Sequence, residues 1–473
     1  MDEPRDDIDT WLETRVTPLQ PHPGTFEQIR RRARRRKAGR AALTAAGAVV
    51  VLAGVITVPR LILNGPVGST PVAQQGPTTP AQRSSTGPGK PAGTGTPRPA
   101  EKTATPTSTA PLPPVPPNFA ASSVTFVSPY TGWVIGQAGT PGHCGPPKAY
   151  DCTSVAITND RGRTWHGSPA PVTGAPNGGT GAGQIRSLDG VSAWAFGPQL
   201  YATHDGGHTW THIPTHGMRV TDLETVAGIV YAVWAKCAST GADFAAGCTT
   251  FSLYSSPAGH DNWSPVPGAT GLQASGGAPG SAQLVLTGAS GYLMAPGGQL
   301  IGGPVTRPAS WRTVTTAAGI PAPLPCPPGA SETGGHPLQA MLASTGPGLV
   351  LLCAGQASGN QQAKTLYYSA DGGRSWSPAG SAPARGIAMS LSGTPTGPVL
   401  VATSDGIAFS TNAPGASGAL TWRNARGATA VGGYTYVGMT TSLQGVAVPA
   451  NVNLNGVWFT YDGGAHWAES PVR

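Results

Sequence analysis

The sequence predicts an all-β chain, a seven-bladed β-propeller, preceded by one transmembrane helix and a disordered linker. Three observations predict it. An eight-residue phrase ending in Trp recurs as TNDRGRTW from Thr158, THDGGHTW from Thr203, SADGGRSW from Ser369 and TYDGGAHW from Thr460. Trp residues recur in register with it at 165, 210, 263, 311, 376, 422 and 467, with gaps of 45, 53, 48, 65, 46 and 45 residues. A period near 45 is that of one four-stranded propeller blade. Upstream, a charge-free run from Ala41 to Val58 follows a basic cluster, RRRARRRK, at Arg30–Lys37.

Eighteen uncharged residues just reach the length of a spanning helix, and the apolar span extends to Leu63 if Arg60 snorkels to the interface. The basic cluster keeps its own side cytoplasmic. Residues 1–40 are therefore expected to be a cytoplasmic basic tail and 41–63 a signal anchor in the lipid bilayer, with everything after it extracytoplasmic at the cell membrane. A leader of this length, an apolar run longer than a usual h-region and the lack of a clear A-x-A site disfavour a cleaved signal peptide. Residues 64–117 are nearly all Pro, Thr, Ser, Gly and Ala. Such a segment buries too little apolar surface to offset its ordering entropy, so it is expected to be an extended, disordered linker.

Residues 118–473 form the propeller in this reading. Each box follows a β-like run, such as SVAIT before Asn159, and its Trp opens another. The Asp accepts hydrogen bonds from backbone groups just ahead of it, the Gly takes a positive φ, and the Trp anchors the turn. Asp160, Gly162 and Trp165, Asp205, Gly207 and Trp210, Asp371, Gly373 and Trp376, and Asp462, Gly464 and Trp467 are thus expected to be structural. The remaining phrases have decayed. Blade four, around AQLVLTGASGYLMA, is the weakest unit, and a six-bladed ring is the alternative if it is an insertion.

The boxes and the paired GW turns (Gly132–Trp133) resemble the Asp-box, or BNR-repeat, β-propellers. The likeness is strongest to the Ycf48/HCF136 photosystem-assembly branch and looser to sialidases and sortilin. The resemblance covers Asn118 to Arg473 and implies boxes on the outer rim, away from a central funnel where ligands bind. It implies no single activity, because such propellers include enzymes, receptors and assembly factors.

Composition narrows the classes. The chain carries a net charge of +8, yet from Asn118 onward 14 Lys and Arg face 13 Asp and Glu. The propeller therefore lacks the basic footprint of a nucleic-acid binder. Arg exceeds Lys 23 to 6 amid abundant Ala, Gly and Pro, the bias of a GC-rich bacterial genome. Cys144, Cys152, Cys237, Cys248, Cys326 and Cys353 all lie beyond the span. Disulfides persist there, and the repeat frame favours Cys144–Cys152, Cys237–Cys248 and Cys326–Cys353. No pair has zinc spacing, and neither a metal nor a cofactor is expected.

Two functions fit the sequence. The first is a non-catalytic binding or scaffold module for an extracytoplasmic protein or a cell-envelope glycan, with no catalytic residues. The alternative is a sialidase-like glycoside hydrolase, which needs three converging arginines, a Tyr–Glu pair and an Asp acid. Arg186, Arg219 and Arg385 stand near inner-strand starts, the propeller has only Glu224, Glu332 and Glu469, and the Arg-Ile-Pro signature is missing. His204, His208, His212 and His216 are four apart, but they run through a turn and a strand, so exposure to solvent is expected rather than a ligand face. The glycines of GGTGAGQIR (Gly178–Arg186) read as an inter-blade loop.

Overall fold

Seven antiparallel sheets follow one another along the chain, each built from consecutive strands. The structure is a computed structural model. It describes residues 113–473 except 139–152, 172, 174–180, 238–247, 275–281, 297, 327–338, 347, 396 and 416–417. The tail, the span, most of the linker, Cys144, Cys152 and Glu332 therefore lie outside the described residues.

Blade 1 sets the pattern with Ala120–Phe126, Gly132–Gln137, Thr153–Thr158 and His166–Ser168 in that spatial order. The other blades span 184–213, 219–273, 283–313, 339–381, 388–424 and 434–471. Blade 4 is a complete sheet of four strands, so the ring has seven blades and the six-bladed alternative is excluded. Its strands survive the decay of its box because Leu284, Leu293, Leu300 and Ile301 still fill the space between sheets. Among the described residues blade 3 gains a fifth strand, Leu272–Gln273.

The second strands are the most apolar, as their position between two covered faces requires. AWAF (Ala193–Phe196) and VLVAT (Val399–Thr403) are buried throughout. The core accordingly lies between blades rather than at one centre. For example, Val134, Val124 and Trp165 of blade 1 pack with Val446, Val457 and Phe459 of blade 7.

Among the described residues no strand is exchanged between blades 7 and 1, and side chains join them. Tyr461 Oη donates to Arg161 O at 2.7 Å, Gln444 Nε2 to Pro129 O at 2.9 Å, and Ser470 Oγ to Gly162 O. Pro113 O accepts from Gly167 N–H at 2.7 Å and Val115 is buried in the same cluster, so residues read as the end of the linker lie against blade 1.

Cys237–Cys248 bridges the second and third strands of blade 3, and Cys326–Cys353 ties the segment after blade 4 to the second strand of blade 5. Both pairs are those expected from the repeat frame.

Candidate functional site

The four boxes have one hydrogen-bond pattern. In blade 2, Thr203 Oγ1 donates to Asp205 Oδ1 at 2.8 Å and accepts from Gly207 N–H at 3.0 Å. Asp205 then accepts from Thr209 N–H at 2.9 Å and from Thr209 Oγ1 at 2.6 Å. Asp160 and Asp371 repeat this with Thr158 and Thr164, and with Ser369 and Ser375. In blade 7 the drifted His466 keeps the bond: its Nδ1 lies 2.6 Å from Asp462 Oδ2. Burial alone raises the pKa of each of these aspartates, but the convergent hydroxyl and N–H donors outweigh it and hold all four below the ordinary value.

The glycine three residues before the Trp of each box does more than turn the chain. Gly162, Gly207, Gly373 and Gly464 have φ between 80° and 98°. A Cβ there would fall 2.5 Å from Phe459, 3.2 Å from Trp133, 2.1 Å from Leu300 and 2.7 Å from Leu400 respectively. Every one of those side chains belongs to the preceding blade. The box is therefore a joint between blades as well as a lock between strands, a role that the sequence reading missed. Trp165 and Trp467 are 4% exposed, whereas Trp210 and Trp376 are only half-buried. Trp210 caps Trp133 edge-on at 6.5 Å and donates to Pro169 O.

Polar residues of the inner strands line a central cavity of about 280 Å³. Arg186, on the inner strand of blade 2 (Gln184–Ser187), meets Glu224, on that of blade 3 (Arg219–Val226), with Nε 2.9 Å from Oε1. Its Nη1 also donates to Ile185 O at 2.9 Å and Ser123 Oγ at 3.4 Å. The guanidinium stands 5.8 Å from the ring centre of Tyr436, from blade 7. Burial lowers the Arg186 pKa, but the neighbouring Glu224 carboxylate outweighs it and leaves the value above the ordinary one.

Asp222 lies two residues before Glu224. Its Oδ1 accepts from Leu223 N–H at 2.9 Å and its Oδ2 from Leu284 N–H of blade 4 at 2.8 Å. Burial and the Glu224 charge push its pKa up to about 7 against the pull of those donors and of Arg186.

The same habit runs round the ring. Gln283 bridges to Ala340 O and Leu342 N–H of blade 5, Ser390 to Val437 of blade 7, and Ser122 to Gly183 O beside blade 2. An inner strand presents an unpaired edge to its neighbour, and these side chains satisfy the backbone groups left there. Much of the funnel's polarity is thus engaged in joining blades.

Of the three arginines named from sequence, only Arg186 lines the funnel. Arg219 is buried at the start of its strand, and Arg385, with its side chain 72% exposed, pairs with Asp405 in the cleft beside Lys364. Glu469 is exposed on the outermost strand of blade 7. Asp222 and Tyr436 were not singled out by sequence, although the alternation of Asp222 and Glu224 on an inner strand was available there. The four histidines are exposed and do not converge: His204 pairs with Asp261 at 2.7 Å and His212 with Gln199. Among the described residues no cluster of metal-ligating side chains is present.

The BNR/Asp-box repeat model matches residues 367–378, the box of blade 5. No curated protein matches the chain. Among solved structures, YCF48 from Cyanidioschyzon merolae is 15% identical, covering 76% of this chain and 88% of its own, with a TM-score of 0.34. The GH74 enzyme of Niastella koreensis is 12% identical over 74% of this chain and 59% of its own, at 0.39. A polysaccharide lyase of family PL25, an ulvan lyase, is 14% identical over 63% and 79%, also at 0.39. The activities named are those of these proteins. A joint between blades, repeated with one hydrogen-bond pattern and matched in sequence at blade 5, makes this chain a seven-bladed β-propeller built on BNR/Asp-box repeats.

Proposed function

We propose that this chain is a membrane-anchored extracytoplasmic propeller that binds an envelope protein or glycan without transforming it. The basic cluster, the apolar run 41–63 and two disulfides in the propeller support that location. The observation that carries the binding reading is the Arg186–Glu224 pair. A sialidase-like site keeps its arginines free for the substrate carboxylate. Here Arg186, the one arginine lining the funnel among the described residues, is paired with a neighbouring carboxylate and a second carboxylate stands two residues from that one, so the cavity favours a neutral or cationic ligand group.

One observation favours the hydrolase. Asp222, pushed up to about 7 beside the second carboxyl group of Glu224, resembles one member of the carboxyl pairs that acid–base chemistry uses. Against it, both carboxylates are held, Asp222 by two backbone N–H groups and Glu224 by Arg186.

Protease treatment of intact cells should release the propeller and leave the tail protected. Titration of envelope fractions should then show binding that Glu224→Ala weakens and Asp205→Ala spares. A protected propeller overturns the location, and equal binding by both variants overturns the funnel as the site.

A further inference from the structure

A second cavity lies on the rim, where blade 4 meets the box of blade 5, with a volume of about 460 Å³. That is within the size range of ligand sites. Its chemistry is opposite to that of the funnel. Arg307, Arg312 and Arg374 all line it, and all three are exposed. Among the described residues none of the three is in an ion pair, and Arg312 Nε is turned to Ser310 O at 3.2 Å. The one acid in the lining, Asp371, already accepts from Ser369 and Ser375 within its box.

The decay of the blade 4 box creates this balance. In the four intact boxes an Asp stands five residues before the Trp; before Trp311 that place is held by Thr306, and Arg307 follows it. The turn has lost its carboxylate and gained a guanidinium. Arg374 approaches from the blade 5 box, so two turns of different blades supply one basic wall. Ser290, Ser310 and Thr313 line the same groove, as does the half-buried Tyr292, whose hydroxyl lies close to Gly372.

We propose that this groove is a binding site for an acidic saccharide, a sugar chain carrying carboxylate or sulfate groups. Guanidinium forks take the acid groups, the hydroxyl side chains match sugar hydroxyls, and Tyr292 offers an apolar surface. The proposal does not rest on the funnel reading, because the two cavities share no residue.

The test is site-resolved arginine modification by phenylglyoxal on the full chain, read by mass spectrometry. Oligogalacturonate, dextran sulfate, neutral maltooligosaccharide and single-stranded DNA are each added separately. At a ligand concentration about ten times its Kd, an occupied site should be modified about tenfold more slowly. That slowing is expected at Arg307, Arg312 and Arg374 with at least one of the two acidic saccharides, which also tells carboxylate from sulfate. Arg385 and Arg423 should react unchanged, as should every arginine of the propeller with maltooligosaccharide. The basic cluster at 30–37 is scored separately, since it attracts any polyanion. Equal protection by DNA overturns the saccharide assignment, and unaltered rates with both acidic saccharides overturn the site. In a second readout, Arg312→Gln should weaken saccharide binding about three- to tenfold while leaving the melting midpoint in place. Unweakened binding contradicts the proposal.

Discussion

Two adjacent glycines separate a turn from a joint. Gly206 and Gly207 have φ values of 73° and 85°, so an Ala at either position meets the same backbone penalty, about 1 kcal/mol. Their surroundings differ. A Cβ at Gly206 finds nothing nearer than Gly190 O at 3.8 Å, and the equivalent place in blade 1 is held by Arg161 at φ 72°. At Gly207 it would fall 2.3 Å from Ser168 Oγ and 3.2 Å from Trp133, which is fully buried in blade 1. Ser168 cannot swing away without losing its bond to Gly207 O. Overpacking of this kind adds about 1–3 kcal/mol. Gly206→Ala is therefore expected to cost about 1 kcal/mol and Gly207→Ala about 2–4 kcal/mol. For a propeller of this size the unfolding entropy is about 0.7 kcal/mol per degree, so the midpoints should fall by about 1–2 °C and 3–6 °C. Circular dichroism melts of the two full-length variants measure both shifts. Equal shifts would refute the claim that the box glycine three residues before the Trp packs one blade onto the next.

Trp467→Ala should cost about 3–5 kcal/mol, because the ring is 4% exposed and its Nε1 donates to Gly464 O. Trp210→Ala should cost about half as much, since that ring is half-buried; denaturant midpoints give both. Acid titration should show two opposite dependences. The box aspartates are depressed, so their stabilisation is present above the unfolded value near 4 and is lost as pH falls through the folded values. Asp222 is raised to about 7, so its contribution is full below about 4 and is lost as pH rises through 7. Asp222→Asn should flatten stability between about pH 4 and 7 and leave the acid limb below that unchanged, as urea midpoints across pH would reveal. Replacing Cys326 and Cys353, 27 residues apart, by Ser should cost about 3.5 kcal/mol, seen as a lower urea midpoint.

Recurrence made the ring legible. A phrase repeated with its Ser or Thr, Asp, Gly and Trp in fixed places encodes a local hydrogen-bond pattern, and local patterns can be read from one strand of text. His466 illustrates how far this extends, since an imidazole at the Thr position keeps the bond to Asp462. The funnel was much less legible. Asp222 reaches Leu284 and Gln283 reaches Leu342, partners separated by 62 and 59 residues, and only blade-to-blade register brings them together. Arg385 was named for the funnel, yet the inner strand of blade 6 begins at Ala388 and leaves it outside with Asp405. The glycine joint stayed hidden for the same reason. A positive φ is written in the turn, whereas Trp133 pressing on Gly207 belongs to another blade.

Binding without turnover is the central claim, and the fate of a bound glycan tests it most directly. Envelope glycans incubated with the full chain, recovered from it and weighed by mass spectrometry should be unchanged in mass, with retention weakened by Glu224→Ala. Shortened or unsaturated products that disappear with Asp222→Asn or Glu224→Gln would contradict the account and make the funnel an active site.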